Sequence, residues 1–310
     1  MTASLTNSHN GFLGIWPAML TPLDQHLQID HAKFAEHAKA LIALGAHGVT
    51  AFGTTGEGPS FSWEERREAI DQLIARGVPA ERIMVSTSCA SLTETLALTR
   101  HAVEHGTHGC LMLPPFFFKG VSDQGIIDAY AYVIDGIQRK DWRLYLYHIP
   151  QVIGVSLSKN VIEELLKRYP GIIAGIKDSA CERAHSVDLA EAFMPKITVY
   201  VGNEPDLPTM GRLGSTGAIS GLANFLPRVV HRLVLTPDAA TTTHDAKRVQ
   251  DMLDLLKPYA LLPALKAVMA TLHNDPAWLR VRPPLVAMAD DALSAIEKSV
   301  RHFSVDTQQE

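Results

Sequence analysis

The feature of this sequence that most restricts its fold is a regular alternation of short apolar runs with longer segments of helical periodicity. The apolar runs cover residues 14–20, 47–52, 83–88, 109–113, 143–149, 172–177, 197–202 and 217–221. Most of them are nearly continuous in apolar residues, as parallel strands buried on both faces are. The helical segments include residues 31–44, 63–76, 92–105, 123–138, 160–169 and 182–193. This alternation predicts an α/β protein with a parallel sheet.

The spacing of the runs narrows the choice of fold. From Leu20, at the end of the first run, to Gly221, at the end of the eighth, there are seven steps of ~29 residues, the length of a strand, a helix and two loops. Doubly wound sheets alternate in the same way, but they usually carry a G-x-G-x-x-G turn after an early strand, which this sequence lacks. We therefore predict a (β/α)8 TIM barrel in residues 1–235, with its last helix over residues 227–235.

The remainder of the chain, residues 236–310, follows a different pattern. Helical periodicity covers residues 244–256, 261–272 and 285–303, with prolines between the segments. These segments are too long for one terminal helix and too apolar for a loose chain. We predict a C-terminal helical extension packed on the barrel, followed by a polar tail over residues 304–310.

Composition and charge exclude several classes of partner. The chain has 28 Lys and Arg against 33 Asp and Glu, a formal net charge of −5, without a basic cluster, which argues against nucleic acid or an anionic membrane. No apolar stretch approaches the ~18 residues of a membrane span. The cysteines, Cys89, Cys110 and Cys181, are dispersed and form no C-x-x-C pair, so we expect neither a disulfide framework nor a zinc site. We predict a cytoplasmic protein that binds a small molecule.

In a barrel of this type the active site lies at the C-terminal ends of the strands. The second predicted strand is followed by GTTGE, residues 53–57. Glycines that bracket two hydroxyl residues make a turn whose N–H and O–H groups can converge on a small anion such as a carboxylate. Gly53, Thr54 and Thr55 are therefore candidate binding residues. The same string also suits a tight turn between strand and helix that binds nothing.

The sixth predicted strand ends at Lys177, after the apolar run IIAGI. Burial without a counter-charge favours a neutral amine, which attacks carbonyl carbons and forms Schiff bases. Tyr147 ends the neighbouring strand one unit earlier, and adjacent strands lie ~5 Å apart, so the phenol and the amine can face each other. A tyrosine hydroxyl there can move protons during imine formation. The alternatives are that Lys177 reaches solvent or pairs with Asp178, and that Tyr147 is a packing residue.

Four strings of the sequence stand in a fixed order. They are GTTGE at 53–57, YHIP at 147–150, GIKDS at 175–179 and GSTGAISGLANFLP at 214–227. In order and spacing they resemble the dihydrodipicolinate synthase and N-acetylneuraminate lyase family, whose members are pyruvate-dependent class I aldolases. The resemblance implies a (β/α)8 barrel with a C-terminal helical extension, no cofactor, and a homo-oligomer, commonly a tetramer.

Carried over residue by residue, the resemblance implies roles for the strand ends. Lys177 would form the Schiff base with pyruvate or another 2-oxo acid, and Tyr147 would be the acid/base group. Thr54 and Thr55 would hold the carboxylate, and one of the two would link Tyr147 to solvent. The backbone near Ile219 would complete the pocket. A protonated imine is an electron sink that lets an adjacent C–C bond break without a metal.

Two departures from the family pattern concern the substrate. Val152 stands where dihydrodipicolinate synthases have an arginine that holds a second carboxylate, and PFFF at 115–118 replaces their P-Y-Y string. The GEGPS string at 56–60 is similar to the corresponding loop of 2-keto-3-deoxygluconate aldolases. We therefore predict a lyase that reversibly cleaves a 2-keto-3-deoxy sugar acid to pyruvate and an aldehyde.

The distal hydroxyls of such a substrate are expected at the remaining strand ends. The candidates are Gly202, Asn203, Glu204, Ser220 and His148, the last at a position where the family usually has asparagine. Four alternatives stay open: a dihydrodipicolinate synthase, an N-acetylneuraminate lyase, a keto-deoxy sugar acid dehydratase and a non-catalytic 2-oxo acid sensor.

The 14 histidines raise the question of a metal site, which requires histidines and carboxylates converging at several strand ends. Only His148 stands at a strand end. His101, His105 and His108 stand at a helix end or in a loop, where solvated or capping roles are expected. We predict no metal, and we expect the apolar run at residues 116–118 to suit a subunit contact.

Overall fold

The element order is that of an alternating α/β chain, in a computed structural model that describes residues 14–301, 303, 305 and 306. The strands are β1 (Gly14–Ile15), β2 (Val49–Ala51), β3 (Ile83–Ser86), β4 (Gly109–Met112), β5 (Leu144–His148), β6 (Ile173–Asp178), β7 (Thr198–Val201) and β8 (Gly217–Ala218). The α-helices of the barrel are α1 (His31–Ala43), α2 (Trp63–Ala75), α3 (Leu92–Glu104), α4 (Asp123–Ile137), α5 (Pro150–Ile153), α6 (Lys159–Arg168), α7 (Arg183–Phe193), α8 (Leu207–Arg212) and α9 (Pro227–Leu235). Those of the extension are α10 (Thr242–Leu256), α11 (Leu261–His273) and α12 (Asp290–Val300).

The strands form one parallel sheet in the order β1-β8-β7-β6-β5-β4-β3-β2. The sheet closes where β1 and β2 meet. Ala18 bridges Thr50, the Met19 N–H donates to the Thr50 carbonyl at 2.9 Å, and the Thr50 N–H donates to the Pro17 carbonyl at 2.8 Å. A closed ring of eight parallel strands surrounded by helices is the predicted (β/α)8 barrel, which brings the C-terminal ends of all eight strands to one mouth.

The first strand is shorter than its apolar run predicts. Pro17 has no N–H group and interrupts the hydrogen-bond ladder. Contact with β8 nevertheless continues beyond β1, because the N–H groups of Trp16 and Ala18 donate to the carbonyls of Ala218 and Ser220 at 2.8 and 2.9 Å. The backbone of the first apolar run therefore lines the seam of the barrel up to its mouth.

Several barrel helices begin at caps that the sequence encodes. Ser62 precedes α2 and forms a capping box with Glu65: the Ser62 Oγ accepts from the Glu65 N–H at 3.2 Å, and the Glu65 carboxylate accepts from the Ser62 N–H at 2.9 Å. Asp30 caps α1 by accepting from the Lys33 N–H at 3.0 Å. Each such cap contributes about 1 kcal/mol and sets the residue at which the helix begins.

The extension packs on the barrel as predicted, and one hydrophobic cluster contains residues of both parts, among them Ile15, Leu265 and Ile296. Helix α9 ends at Leu235, but the division at residue 235 stays a prediction, since the core is continuous. Among the residues described, no single helix is long and apolar enough to cross a membrane. The pair α10 and α11, bent by 114° at its junction, meets those criteria only when taken together.

The end of the chain differs from the prediction in two places. The helix predicted over residues 285–303 begins only at Asp290. Ala289 before it has an extended backbone, and two acidic residues in the first turn favour a helix N-terminus there. The predicted polar tail contains a buried residue, Asp306, whose carboxylate accepts from the N–H groups of Arg228 and Val229 at 2.6 and 3.2 Å. Asp306 therefore caps α9, which has no cap of its own. The other predicted tail residues, except Val305, lie outside the described range.

Candidate active site

The structure brings Lys177 and Tyr147 together at the mouth of the barrel. They are register partners on β6 and β5, and the Tyr147 hydroxyl lies 3.1 Å from the Lys177 Nζ. The amine also lies 4.2 Å from the centre of the Tyr147 ring. Only 4% of Lys177 and 1% of Tyr147 are exposed. The two side chains form a buried amine–phenol pair at the strand ends, where barrel enzymes carry out their chemistry.

Asp178, the neighbour of Lys177 in sequence, is not its partner. Successive residues of a strand point to opposite faces. The Asp178 carboxylate accepts from the Ser186 hydroxyl of α7 at 2.5 Å and from the Ala180 N–H at 3.2 Å, on the face of β6 that is turned towards the helices. Among the described residues, no carboxylate lies within ion-pair distance of the Lys177 amine. The lysine has a phenol as its nearest polar group instead of a counter-charge.

The two threonines that follow β2 have different neighbours. The Thr54 Oγ1 lies 3.1 Å from the Tyr147 hydroxyl, which makes a chain of hydroxyl and amine groups from Thr54 through Tyr147 to Lys177. Thr55 points instead towards the end of β8, where a Cβ on Gly221 would lie 3.3 Å from the Thr55 Oγ1. Of the two threonines, Thr54 is therefore the one that is hydrogen-bonded to Tyr147.

A tight turn over residues 53–58 carries these threonines. It is closed by hydrogen bonds from the Glu57 N–H to the Thr54 carbonyl and from the Gly58 N–H to the Gly53 carbonyl, both 3.1 Å. Glu57 has a left-handed backbone with φ of 55°. A Cβ on Gly58 would meet the Phe52 carbonyl oxygen at 2.0 Å, so only glycine fits there. Apart from its two neighbours in the chain, no described residue has a heavy atom within 4 Å of the corresponding point at Gly53, which leaves open space beside the threonines.

The ends of β7 and β8 bring Glu204 and Ser220 together. One Glu204 carboxylate oxygen accepts from the Ser220 hydroxyl at 2.7 Å and from the Leu222 N–H at 3.2 Å. Asn203 is engaged elsewhere, because its amide donates to the Asp206 carboxylate at 2.7 Å. Of the candidates for sugar hydroxyls, Glu204 and Ser220 form one group and Asn203 belongs to another.

Gly202 and Ile219 form part of the barrel wall. A Cβ on Gly202 would lie 1.9 Å from the Ser179 Oγ, so this glycine permits close packing of the loops after β6 and β7. Ile219 is fully buried, and its N–H donates to the Val201 carbonyl at 3.0 Å. Both residues shape the mouth through their backbone.

His148 lies outside the pocket in which it was expected. Its Nδ1 accepts from the Leu157 N–H at 3.1 Å, and its ring stacks on His185 with ring centres 4.6 Å apart. The reason is strand alternation, because Tyr147 faces the barrel interior and the next residue faces the helices. Burial lowers the pKa of His148 to about 4, the Asp178 charge opposes this decrease, and His185 adds to it.

Two clusters in the described part of the chain have potential metal ligands close together. One is His148, Asp178 and His185, and the other is Asp71, His101 and His105. His148 accepts a backbone N–H at Nδ1, so a neutral His148 ring carries its proton on Nε2 and offers no free lone pair. In the second cluster the His101 Nε2 lies 2.6 Å from the partly exposed Asp71 carboxylate. The absence of a metal stays a prediction.

The remaining histidines fulfil their expected roles only in part. His105 caps α3, since its Nδ1 bonds the His101 carbonyl at 2.9 Å. The expectation is wrong for His108, which is buried and bonds the Tyr145 hydroxyl at 2.9 Å. His108 immediately precedes β4 and points into the barrel, where a neutral imidazole can bond a phenol; burial lowers its pKa to about 3.

Glu57 and Lys266, for which no role was predicted, form an ion pair with both side chains fully buried. A signal for Lys266 was present, because it stands within the apolar helical run LLPALKAVMA. A lysine in such a run needs a buried counter-charge. Its partner, far away in sequence, had no local signal.

Comparison with known proteins gives a consistent set of relatives. The chain matches the dihydrodipicolinate synthetase family over residues 11–303. It is 32% identical over 300 residues to an uncharacterized DapA-like lyase of Chloroflexus aurantiacus, a match that covers 95% of this chain and 98% of that protein. Dihydrodipicolinate synthase from Agrobacterium tumefaciens is 30% identical, with a TM-score of 0.88 and coverage of 94% and 99%. A variant of the Sulfolobus solfataricus 2-keto-3-deoxygluconate aldolase shares the fold, with a TM-score of 0.83 at 21% identity and coverage of 94% and 96%.

Proposed function

This chain belongs to the dihydrodipicolinate synthetase family, and from that membership we propose that it is a carbon–carbon lyase that forms a Schiff base on Lys177. The observation that carries the proposal is the chain from the Lys177 Nζ through the Tyr147 hydroxyl to the Thr54 Oγ1, with both links 3.1 Å long. The amine supplies the nucleophile, and the phenol supplies the proton transfers that imine chemistry requires.

The first step joins the enzyme to a 2-oxo acid. The Lys177 amine adds to the ketone carbon, and its proton passes to the ketone oxygen through the Tyr147 hydroxyl. A second proton, delivered from solvent through Thr54 and Tyr147, allows that oxygen to leave as water. The product is a protonated imine. The substrate carboxylate would lie against the turn that carries Thr54 and Thr55, in the open space beside Gly53.

The second step breaks a carbon–carbon bond. The proton of the substrate hydroxyl passes to Tyr147, which releases its own proton through Thr54 to solvent. The substrate oxygen forms the carbonyl of an aldehyde, and the electrons of the broken bond move towards the imine nitrogen to give an enamine. The enamine takes a proton on carbon, and water then hydrolyses the imine and releases pyruvate. The imine nitrogen is the electron sink throughout.

The groups at the mouth favour a polyhydroxylated substrate. Glu204 and Ser220 accept and donate hydrogen bonds, and a carboxylate at that position repels a second anionic group. Val152 is 58% exposed and offers no positive charge at the place where a synthase holds the second carboxylate. We therefore propose a 2-keto-3-deoxy sugar acid as the substrate.

We also propose a cytoplasmic homotetramer. Phe117 and Phe118 are each 71% exposed and pack edge to face on one another, which suits contact with another subunit. Lys119 bonds the carbonyls of Phe116 and Ile153 and so joins this loop to α5. Light scattering after size-exclusion chromatography is expected to give four times the mass of the chain, and a monomer would contradict this part of the proposal.

The function is tested with a panel of 2-keto-3-deoxy acids assayed for pyruvate release, with Lys177→Met as the matched control. We expect one or more sugar acids to release pyruvate with the wild type and none with the variant. Consumption of pyruvate only with aspartate semialdehyde would identify a synthase, and release only from N-acetylneuraminate a sialic acid lyase. Loss of water without pyruvate release would identify a dehydratase, and binding of 2-oxo acids without turnover a sensor.

A further inference from the structure

Helix α11 of the extension meets the active-site turn at a buried ion pair. The Lys266 ammonium contacts the Glu57 carboxylate, and neither side chain is exposed. Lys266 also donates to the Arg280 carbonyl at 2.7 Å. Taking two charges out of water costs several kcal/mol per ion, so a buried pair is a poor source of stability compared with an apolar pair of the same volume. The pair therefore calls for a role other than stability.

We propose that the Glu57–Lys266 pair positions the Thr54 hydroxyl against Tyr147, so that the helical extension controls proton transfer in the barrel. The inference rests on the proposed Schiff-base function. Glu57 and Lys266 are positioning residues, because they act through Thr54 and touch no reacting atom.

A continuous series of contacts connects the pair to the reactive amine. The Glu57 side chain is held by Lys266, and the Glu57 N–H donates to the Thr54 carbonyl at 3.1 Å. The Thr54 hydroxyl lies 3.1 Å from the Tyr147 hydroxyl, which lies 3.1 Å from the Lys177 Nζ. A shift of Glu57 therefore moves the first group of the proton path.

The backbone conformation of Glu57 has to be stabilised by contacts with its surroundings. Its φ of 55° lies in the left-handed region, which is unfavourable for a residue with a side chain and persists where the surroundings impose it. Thr21 supports the turn from the other side, since its hydroxyl donates to the Gly56 carbonyl at 2.8 Å. The Lys266 contact fixes the Glu57 side chain, and with it the direction of the Glu57 N–H.

A second ion pair between the extension and the same region provides a matched control. Arg282 contacts the Glu65 carboxylate through two nitrogens, at 2.6 and 3.0 Å, and donates to the Ser60 carbonyl at 2.9 Å. This pair holds the start of α2, beyond the turn that carries Thr54. Its loss is expected to lower stability without changing proton transfer.

The test compares Glu57→Gln, Lys266→Met, the double variant and Arg282→Met. Glu57→Gln and Lys266→Met each leave an unpaired buried charge, and both variants are expected to have a lower Tm and a lower kcat. The double variant removes both charges, so we expect Tm to return close to the wild-type value. Its kcat at saturating substrate is expected to stay up to about tenfold low, the loss expected when the Thr54 hydroxyl no longer bonds Tyr147, and KM is expected to change less. Arg282→Met should lower Tm and keep kcat.

Recovery of kcat together with Tm in the double variant would overturn the inference, as would an equal loss of kcat in Arg282→Met. If the double variant does not fold, Glu57→Asp decides: it keeps both charges but shortens the side chain, and kcat must fall while the protein stays folded. Borohydride trapping of the wild-type enzyme with pyruvate distinguishes a failure of the proposed function from a failure of this inference alone. A wild type without an adduct overturns the proposed function and this inference with it, whereas unchanged trapping rates in the folded Glu57 variants overturn the inference alone.

Discussion

Lys177 and Lys266 are both buried, but the groups around them differ. Lys177 lies at the barrel mouth against the phenol of Tyr147, whereas Lys266 lies on α11 against the Glu57 carboxylate. Burial lowers the pKa of Lys266, and the Glu57 charge opposes that decrease. Burial alone therefore does not make a lysine a nucleophile. A carboxylate partner favours the charged ammonium, whereas a phenol can exchange protons with the amine.

The two lysines also differ in what surrounds them beyond the first contact. Lys177 ends a strand at the barrel mouth, beside a turn with open space at Gly53. Lys266 is enclosed between the extension and the barrel, and its Nζ is also bonded to the Arg280 carbonyl. We therefore expect a 2-oxo acid to bind beside Lys177 and not at Lys266, so the two variants are expected to fail in different ways.

The largest expected effect is the loss of activity on replacing Lys177, whereas replacing Lys266 is expected mainly to lower stability. Lys177→Met removes the nucleophile and should reduce pyruvate release by roughly 10⁴-fold or more, the scale of losing a catalytic nucleophile, while thermal unfolding changes little. Lys266→Met leaves the Glu57 carboxylate unpaired and should cost about 3–5 kcal/mol of unfolding free energy. Steady-state kinetics and urea unfolding on both variants check this. Equal activity losses without a difference in stability would refute the distinction between the two lysines.

A smaller effect is expected at the phenol that distinguishes Lys177 from Lys266. Tyr147→Phe keeps the ring over the amine and removes the hydroxyl that bonds Thr54. If the hydroxyl moves protons, kcat falls by about 10²- to 10⁴-fold. The measurement is kcat with the best sugar acid of the panel. Normal turnover in this variant would show that Tyr147 only packs against Lys177.

The two threonines that follow β2 are expected to affect different kinetic constants. Thr54→Val removes one hydrogen bond to Tyr147, a loss of about 1.5 kcal/mol, and should lower kcat about tenfold. Thr55→Val leaves that bond in place and should mainly raise KM, because Thr55 points towards β8. Full kinetics on both variants distinguish the roles. The assignment of the proton path to Thr54 fails if Thr55→Val lowers kcat more than Thr54→Val does.

The smallest expected effect on activity concerns His148, which lies behind Tyr147. His148→Asn should keep kcat/KM within about threefold, because the ring lies outside the pocket.

The same variant should change how stability depends on pH. Burial lowers the pKa of His148 from 6.5 to about 4 in the folded protein, so between these values the unfolded chain binds more protons. The free energy of unfolding therefore decreases as pH falls from about 6.5 to about 4, and this contribution is fully present above about 6.5. The decrease should be smaller in His148→Asn, as urea unfolding at several pH values can measure. An identical pH dependence in both proteins would contradict burial of a neutral His148.

Much of the fold and the centre of the site could be predicted from the sequence, because both depend on local periodicity. Apolar runs and their spacing located all eight strands, and the barrel then brought Tyr147 and Lys177 side by side on β5 and β6. Strand alternation also indicates the orientation of His148, since His148 directly follows Tyr147, which faces the barrel interior. The prediction that placed His148 in the pocket overlooked this signal.

Other features could not be predicted because they depend on contacts between distant segments. Nothing near Glu57 in sequence indicates that Lys266 neutralises it, and nothing near Asp306 indicates that it caps α9. Which of Thr54 and Thr55 bonds Tyr147 depends on the conformation of the 53–58 turn. The close approach of Gly58 to Phe52 restricts that conformation. The partners of Glu57 and α9 are set by packing between the barrel and its extension, whereas the threonine choice depends on the shape of the turn.

Whether Lys177 is the lysine that forms the imine can be measured by borohydride reduction of the wild-type protein in the presence of pyruvate, followed by peptide mass mapping of both lysines. Reduction traps an imine as a stable adduct on the lysine that formed it. We expect a pyruvate-derived adduct on the peptide that contains Lys177 and an unmodified Lys266. An unmodified Lys177, or an adduct on Lys266 in its place, would contradict it.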